Sequence, residues 1–348
     1  MTAMTQPLGL GPGRPSRTSI VVAAARAFGA REPDESVRNP DYLAESLLGQ
    51  EELQLITDHP IAAAIKQDYQ LARQNPVVAG LSNFMLMRTR FIDERLQAAV
   101  RDGVTQVVIL GAGFDTRAYR FNELLRNTRV FEVDHHATQE LKKGRLTEAL
   151  GVIPSNVTFV ETDFRHDALR DILRGAGYRA AEKTFFIWEG VSMYLTDGTV
   201  RETLRTVAES APGSSVVLDY ASQATIDALR KFPTLAQHRH TTDWGEPWTF
   251  GLPDNREREF FRECGLELRD SFSTIRGDRS KRYLTRTDGS RLGRGRLGPR
   301  RNGSTQISRA RRVLSNASSI GTGFRMLWMG LTRRSKWYAL AELAVPPR

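Results

Sequence analysis

Apolar residues recur at three- and four-residue spacing through 42–48, 61–71 and 84–100, among frequent Ala, Leu and Gln. That period buries one face of a helix, and no strand-like run interrupts it between Ile20 and Val100. The spacing predicts a helical N-terminal cap over residues 18–100. From Gln106 the texture changes. Five short apolar runs rich in β-branched and aromatic residues follow, at 107–110, 129–133, 157–161, 184–188 and 215–218. Continuous rather than alternating hydrophobicity marks strands buried on both faces, as in a parallel sheet. Segments long enough for helices separate them. Residues 137–150 space Leu141, Leu146 and Leu150 along one face, and 197–210 open at Asp197 and end before Pro212-Gly213. Alternating strand and helix is the signature of an open α/β sheet.

Strict alternation then stops. Residues 255–264 read as a helix halted by Gly265, followed by strands at 266–274 and 337–345, the latter closed by Pro346-Pro347. Between these strands lie residues 275–336, dominated by Arg, Gly and Ser and too long for an ordinary connection in a compact domain. The expectation is a core of 101–274 and 337–348 carrying a basic, largely mobile insertion. Residues 1–17, rich in Gly, Pro and Thr with little to bury, are expected to be disordered.

Composition narrows the class without naming a function. A chain of 348 residues, 40% hydrophobic and 26% charged, is ordinary for a globular protein and unlike collagen or a disulfide framework. Its single cysteine, Cys264, excludes an intramolecular disulfide and suits a reducing compartment. No apolar run approaches the ~20 residues that span a bilayer. The stretch 20–30 is interrupted by Arg26 and is followed by no small-residue cleavage site, so a cytoplasmic location is expected. The net charge of +10 matters only once it is located. From Arg276 onward 18 Lys and Arg face three acids (Asp278, Asp288, Glu342), so that segment carries +15 and the preceding 275 residues carry −5. An anionic partner, nucleic acid or membrane, belongs at 275–336 if anywhere. The run RLGRGRLGPRRNG has no aromatic residue to stack on bases, and the apolar stretch from Phe324 to Leu331 would suit an anionic membrane surface. A solvated charged loop with that stretch packed on the body is the plainer reading.

The candidate chemistry sits at strand ends. The first strand runs into Gly111-Ala112-Gly113-Phe114-Asp115-Thr116-Arg117, a glycine turn that lets a ligand approach the backbone or simply makes the turn. The third glycine of a dinucleotide fingerprint is replaced by Thr116. The second strand ends in Asp134, 21 residues after Gly113, where a carboxylate can hold ribose hydroxyls or cap the next helix. The third ends in Asp163-Phe164, suited to an adenine amino group and ring, and the fourth in Glu189, a buried-edge acid that needs a partner. Four such signals line one crevice. An NAD-dependent dehydrogenase is disfavoured, because the third glycine is missing and no Tyr-x-x-x-Lys pair occurs.

At this point the sequence resembles a known family. The runs VVILGAGFDTRAYR, VFEVDHH, FVETDF and FIWEGVSMYLT, with AAARAFGAREPDESVRNPDYLAESLL and MRTRFID before them, resemble the leucine carboxyl methyltransferase and polyketide O-methyltransferase group, especially its actinobacterial members. The resemblance extends from about Val22 to Thr287 and resumes at WYALAELAVP. It implies a Rossmann-like sheet of seven strands, mostly parallel with an antiparallel last strand, and S-adenosylmethionine (SAM) as cofactor. It further implies that Arg88 (or its neighbour Arg90) binds the methionyl carboxylate and that Gly111 and Gly113 admit the methionine moiety. Asp134 would hold the ribose, Asp163 and Phe164 the adenine, and Glu189 would close the methionyl end.

The methyl acceptor would be a small molecule, either a carboxylate, which needs no base, or a hydroxyl, which benefits from one. His238 and His240, with Asp243, follow the fifth strand and are candidates, as surface residues or as bases. Tyr194 and Tyr220 are candidate acceptor contacts, and Trp244, Trp248 and Phe250 a candidate aromatic wall. No metal site stands out, since His135 and His136 are adjacent rather than at ligand spacing. The competing reading is a non-catalytic platform whose basic segment binds membrane or nucleic acid.

Overall fold

The structure, a computed structural model, describes residues 15–163, 167–232, 242–274, 278–292 and 338–347. Seven strands organise them: β1 (Gln106–Leu110), β2 (Arg129–Asp134), β3 (Val157–Glu161), β4 (Thr184–Trp188), β5 (Ser215–Ala221), β6 (Glu267–Ser273) and β7 (Tyr338–Ala344). They form one sheet in the order β3-β2-β1-β4-β5-β7-β6. β1 to β5 pair in parallel, and β7 runs antiparallel to both β5 and β6. The expected architecture is therefore present, antiparallel last strand included.

Burial explains the strand sequences. β1, β4 and β5 are covered along their whole length, which is why they read as unbroken apolar runs, whereas the edge strands β3 and β6 keep positions open to water. Strand alternation sends Val107, Ile109, Phe185, Ile187 and Val217 to one face and Val108, Leu110, Phe186, Trp188, Val216 and Leu218 to the other. The first face is covered by α1 (Arg17–Ala30) and α2 (Pro76–Arg101), which bury Ile20, Phe28, Phe91 and Leu96. The N-terminal helices are thus a structural layer of the sheet. The second face receives the helices Leu169–Gly175, Asp197–Ala208 and Glu257–Glu263 through Leu173, Leu204 and Phe261. Among the described residues no helix is long and apolar enough to cross a membrane.

Two sequence expectations need correction. Disorder through residue 17 is overstated, because the Ser16 hydroxyl accepts the Ser19 N–H at 3.1 Å and caps α1, which starts at Arg17. Residues 1–14 lie outside the described residues. The basic insertion is in part built structure. Its first portion forms the helix Asp278–Tyr283 and a turn closed by a Thr285–Arg291 bridge, with Tyr283 and Leu292 buried. Arg286 binds the buried Glu32 carboxylate at 2.8 and 2.9 Å, and the Tyr283 hydroxyl donates to Glu94 at 2.8 Å. Composition misled here because an arginine with a buried carboxylate partner reads like any solvated one. The remainder of the segment, residues 275–277 and 293–336, lies outside the described residues.

One helix carries a removable weakness. α3 (His136–Leu150) has Gly144 in its interior, exposed, with nothing within 4 Å of where a Cβ would stand. Gly144→Ala should raise the unfolding free energy by about 0.5–1 kcal/mol, read as a higher urea midpoint at unchanged slope. An unchanged or lower midpoint would show that this helix gains nothing from reduced backbone freedom.

Candidate active site

The crevice is built where β1 to β5 end. Gly111 and Gly113 both have positive φ, +66° and +43°, in the turn leaving β1. A Cβ on Gly111 would stand 2.2 Å from Val191 Cγ2, and one on Gly113 would stand 3.2 Å from Ser19 Cβ of α1. The two glycines thus let the loop after β4 and the first helix close over the turn. Thr116, in the place of the third glycine, donates its hydroxyl to Asp41 at 2.6 Å and ties that turn to the segment after α1.

Asp134 ends β2 with its carboxylate turned back on the turn, accepting the Gly113 N–H and, at 2.6 Å, the His135 N–H. Burial raises its pKa above the ordinary carboxylate range, although both N–H groups oppose the shift. Asp163, two residues beyond β3, donates its backbone N–H to Asp167 at 2.7 Å, while Phe164 lies outside the described residues.

Glu189 follows β4 and is the hub of a buried ionic network. Its carboxylate meets Arg88 Nε at 2.7 Å, Arg117 Nη1 at 2.6 Å and Arg26 Nη1 at 3.9 Å. Desolvation works against ionisation, yet the three guanidiniums outweigh it and hold the Glu189 pKa well below the usual range. Arg117 also binds Asp93 at 2.7 Å and Asp115, Arg120 binds Asp93 at 3.0 Å, and Arg26 binds Asp41 at 3.0 Å. Arg88 reaches Asp219 of β5 at 2.9 Å. Four guanidiniums thus face five carboxylates, each side chain 7% exposed or less.

Of the nine residues in this network the sequence points to Arg88 and Glu189; Arg26, Asp41, Asp93, Asp115, Arg117, Arg120 and Asp219 join them only in the fold. The motif Asp115-Thr116-Arg117 carried the only available signal. Arg90 leaves the site, because its guanidinium donates to the carbonyls of Ser36, Glu35 and Arg38 at 2.6–3.1 Å. Within the network, Arg117 Nη2 is buried with no hydrogen-bond partner, and Arg88 Nη2 has only Met85 Sδ at 3.3 Å. These two N–H edges are donors that an added carboxylate can use.

The acceptor side is only partly as expected. Tyr194 and Trp248 are half-buried with rings 6.4 Å apart. Tyr220 does not join them: alternation along β5 turns it to the opposite face, where it packs on Phe261. Phe250 is likewise buried against Phe260, and Trp244 donates to Asp58 at 3.1 Å. His238 and His240 lie outside the described residues, and Asp243 is exposed. The ligand atoms of His136, Glu140 and Glu161 lie within 4.8 Å of one another on exposed surface, a grouping that the adjacency of His135 and His136 did not reveal.

A parallel sheet whose sixth position is filled by an antiparallel last strand, with glycines and acids at its carboxyl edge, defines a Rossmann-like methyltransferase fold. Sequence comparison makes the assignment specific. The profile described as "Leucine carboxyl methyltransferase" matches residues 19–208, and the chain belongs to this family of SAM-dependent methyltransferases. It is 34% identical over 224 residues to "Putative S-adenosyl-L-methionine-dependent methyltransferase YktD" of Bacillus subtilis, covering 61% of this chain and 73% of that one. A protein of the same description from Streptomyces coelicolor, SCO7813, is 34% identical over 211 residues, covering 60% and 70% respectively.

Proposed function

We propose that this chain transfers the methyl group of SAM to an oxygen of a small molecule, a carboxylate or a hydroxyl of a polyketide-like or similar metabolite. The observation that carries the reading is the shared geometry of Asp134 and Glu189: a half-buried and a buried acid stand after the strands on either side of the positive-φ glycine turn, beside unspent guanidinium donors. The bound cofactor would supply an electrophilic methyl on a sulfonium. Asp134 would accept from the ribose hydroxyls, and Asp163 would face the adenine. Arg88 and Arg117 would offer their free N–H edges to the methionyl carboxylate, with Glu189 fixing both arginines. The excess of carboxylates over guanidiniums favours a nearby cation. In such a displacement the protein aligns the partners and excludes water.

Calorimetric titration with S-adenosylhomocysteine tests this, with NADH as a control ligand. Micromolar binding is expected, weakened tenfold or more in Asp134→Asn (~1.4 kcal/mol or more). The sign of the pH dependence follows from the raised Asp134 pKa. Acidification protonates the carboxylate while the solution is still above the ordinary carboxylate range, and the proton competes with the ribose hydroxyls. Affinity should therefore fall as pH falls, and Asp134→Asn should flatten that limb. A folded wild type that ignores S-adenosylhomocysteine would end the methyltransferase reading.

A further inference from the structure

The acceptor side of the crevice is completed by residues beyond the family-matched span of 19–208. Tyr338, the first residue of β7, pairs with Ala221 at the end of β5 and so stands on the same edge of the sheet as Glu189. Its ring meets Phe84 edge-on at 4.9 Å and lies 6.0 Å from Trp248. Phe84, Tyr194 and Trp248 are half-buried, with Tyr338 and Met193 buried in the same cluster. The result is an aromatic cluster with a buried phenol beneath half-buried rings.

That phenol has a fixed orientation. The Tyr338 hydroxyl donates to Asp219 Oδ2 at 2.6 Å and its oxygen also faces the Arg88 guanidinium, which leaves one lone pair for a further hydrogen bond. Asp219 is fully buried; its other oxygen accepts the Gly190 N–H at 2.7 Å, and Arg88 is its cation. Glu189, facing the same arginine, adds negative charge nearby. Arg88 is shared by Glu189 and Asp219, and in the reading above its remaining N–H edge serves the methionyl carboxylate, so it has no donor left for a carboxylate acceptor.

We propose that Tyr338 and Asp219 form a proton-accepting pair for a phenolic methyl acceptor. The inference rests on the methyl-transfer reading above. The acceptor hydroxyl gives its proton to Tyr338 Oη as Tyr338 passes its own proton to Asp219 Oδ2. An oxygen lone pair forms the bond to the methyl carbon, and the carbon–sulfur bond breaks with its electrons moving to sulfur, leaving a neutral thioether. The proton on Asp219 returns to solvent after product leaves. A phenol suits the relay because burial holds the Tyr338 pKa well above that of an ordinary phenol, so the proton passes toward the more basic oxygen. Burial, which raises the Asp219 pKa against the pull of Arg88, makes that carboxylate a better proton acceptor.

The test uses the full chain saturated with S-adenosylhomocysteine and titrated with 2-naphthol or its methyl ether, 2-methoxynaphthalene. Tyr338→Phe should weaken naphthol binding about tenfold or more while changing ether binding little, because only naphthol donates a hydrogen bond. Affinity for S-adenosylhomocysteine should change less than about threefold, since Asp219 keeps Arg88 and Gly190. With labelled SAM, naphthol methylation should fall about a hundredfold or more in Tyr338→Phe. A wild type that binds S-adenosylhomocysteine but neither binds nor methylates naphthol overturns the phenolic assignment. So does one that methylates 2-naphthoic acid in its place, or a Tyr338→Phe chain with full turnover. Loss of S-adenosylhomocysteine binding by the wild type itself would overturn the underlying methyltransferase reading.

Discussion

Arg117→Met is expected to destabilise the fold by about 3–5 kcal/mol, the cost of removing one partner from a buried ion pair. One guanidinium, 2% exposed, holds Asp93, Asp115 and Glu189, and methionine would leave three carboxylates without it. Glu189 would still have Arg88 and Arg26, and Asp93 would still have Arg120. Asp115 pairs with no second cation among the described residues and would keep the backbone N–H at position 117. Arg117→Lys should fall between the wild type and Arg117→Met, since an ammonium keeps the charge but cannot span three carboxylates in a planar fork. Adding Asp115→Asn to Arg117→Met should recover part of the loss through non-additivity. Urea unfolding is the readout, and a midpoint for Arg117→Met within error of wild type would refute the idea that this network supports the fold.

Gly111→Ala should be nearly as damaging, and through a different route. The left-handed backbone there costs an L-residue about 1–2 kcal/mol, and the new methyl would collide with Val191 Cγ2, 2.2 Å away. Val191 lies two residues after Glu189, so relieving the clash displaces the turn that carries the central carboxylate. Lower stability together with at least a tenfold loss of S-adenosylhomocysteine affinity is expected, ~1.4 kcal/mol or more in binding. Combining Gly111→Ala with Val191→Ala removes the collision but not the backbone strain, so affinity should return further than stability. If the double variant binds no better than Gly111→Ala alone, the contact with Val191 is not what forces the glycine.

The sheet was legible because its strands are buried on both faces and separated by helices, a pattern that survives in sequence order. β7 could be read for the same reason, as an apolar run closed by two prolines. The strand-end acids were legible too, since each sits at a fixed offset from a run of Val, Ile or Phe. The ionic network was not. Asp93, Arg117 and Asp219 look like surface residues until the packing of α2 against the sheet excludes water from them, and nothing local in the chain encodes that burial. Tyr220 failed for a smaller reason: one step along a strand exchanges its face with that of Asp219.

The position of β7 has a consequence for how the protein is made. It occupies an interior lane between β5 and β6, yet 64 residues separate Ser273 from Tyr338. At about 5–20 residues per second the ribosome needs on the order of 3–13 s to cross that gap. Throughout it, β5 and β6 exist without the strand that joins them, each offering an open hydrogen-bonding edge. A nascent chain in this interval is a natural client for a holding chaperone. A premature stop within the gap would release a polypeptide lacking the strand that joins β5 to β6, open on two sides to strand exchange with its neighbours.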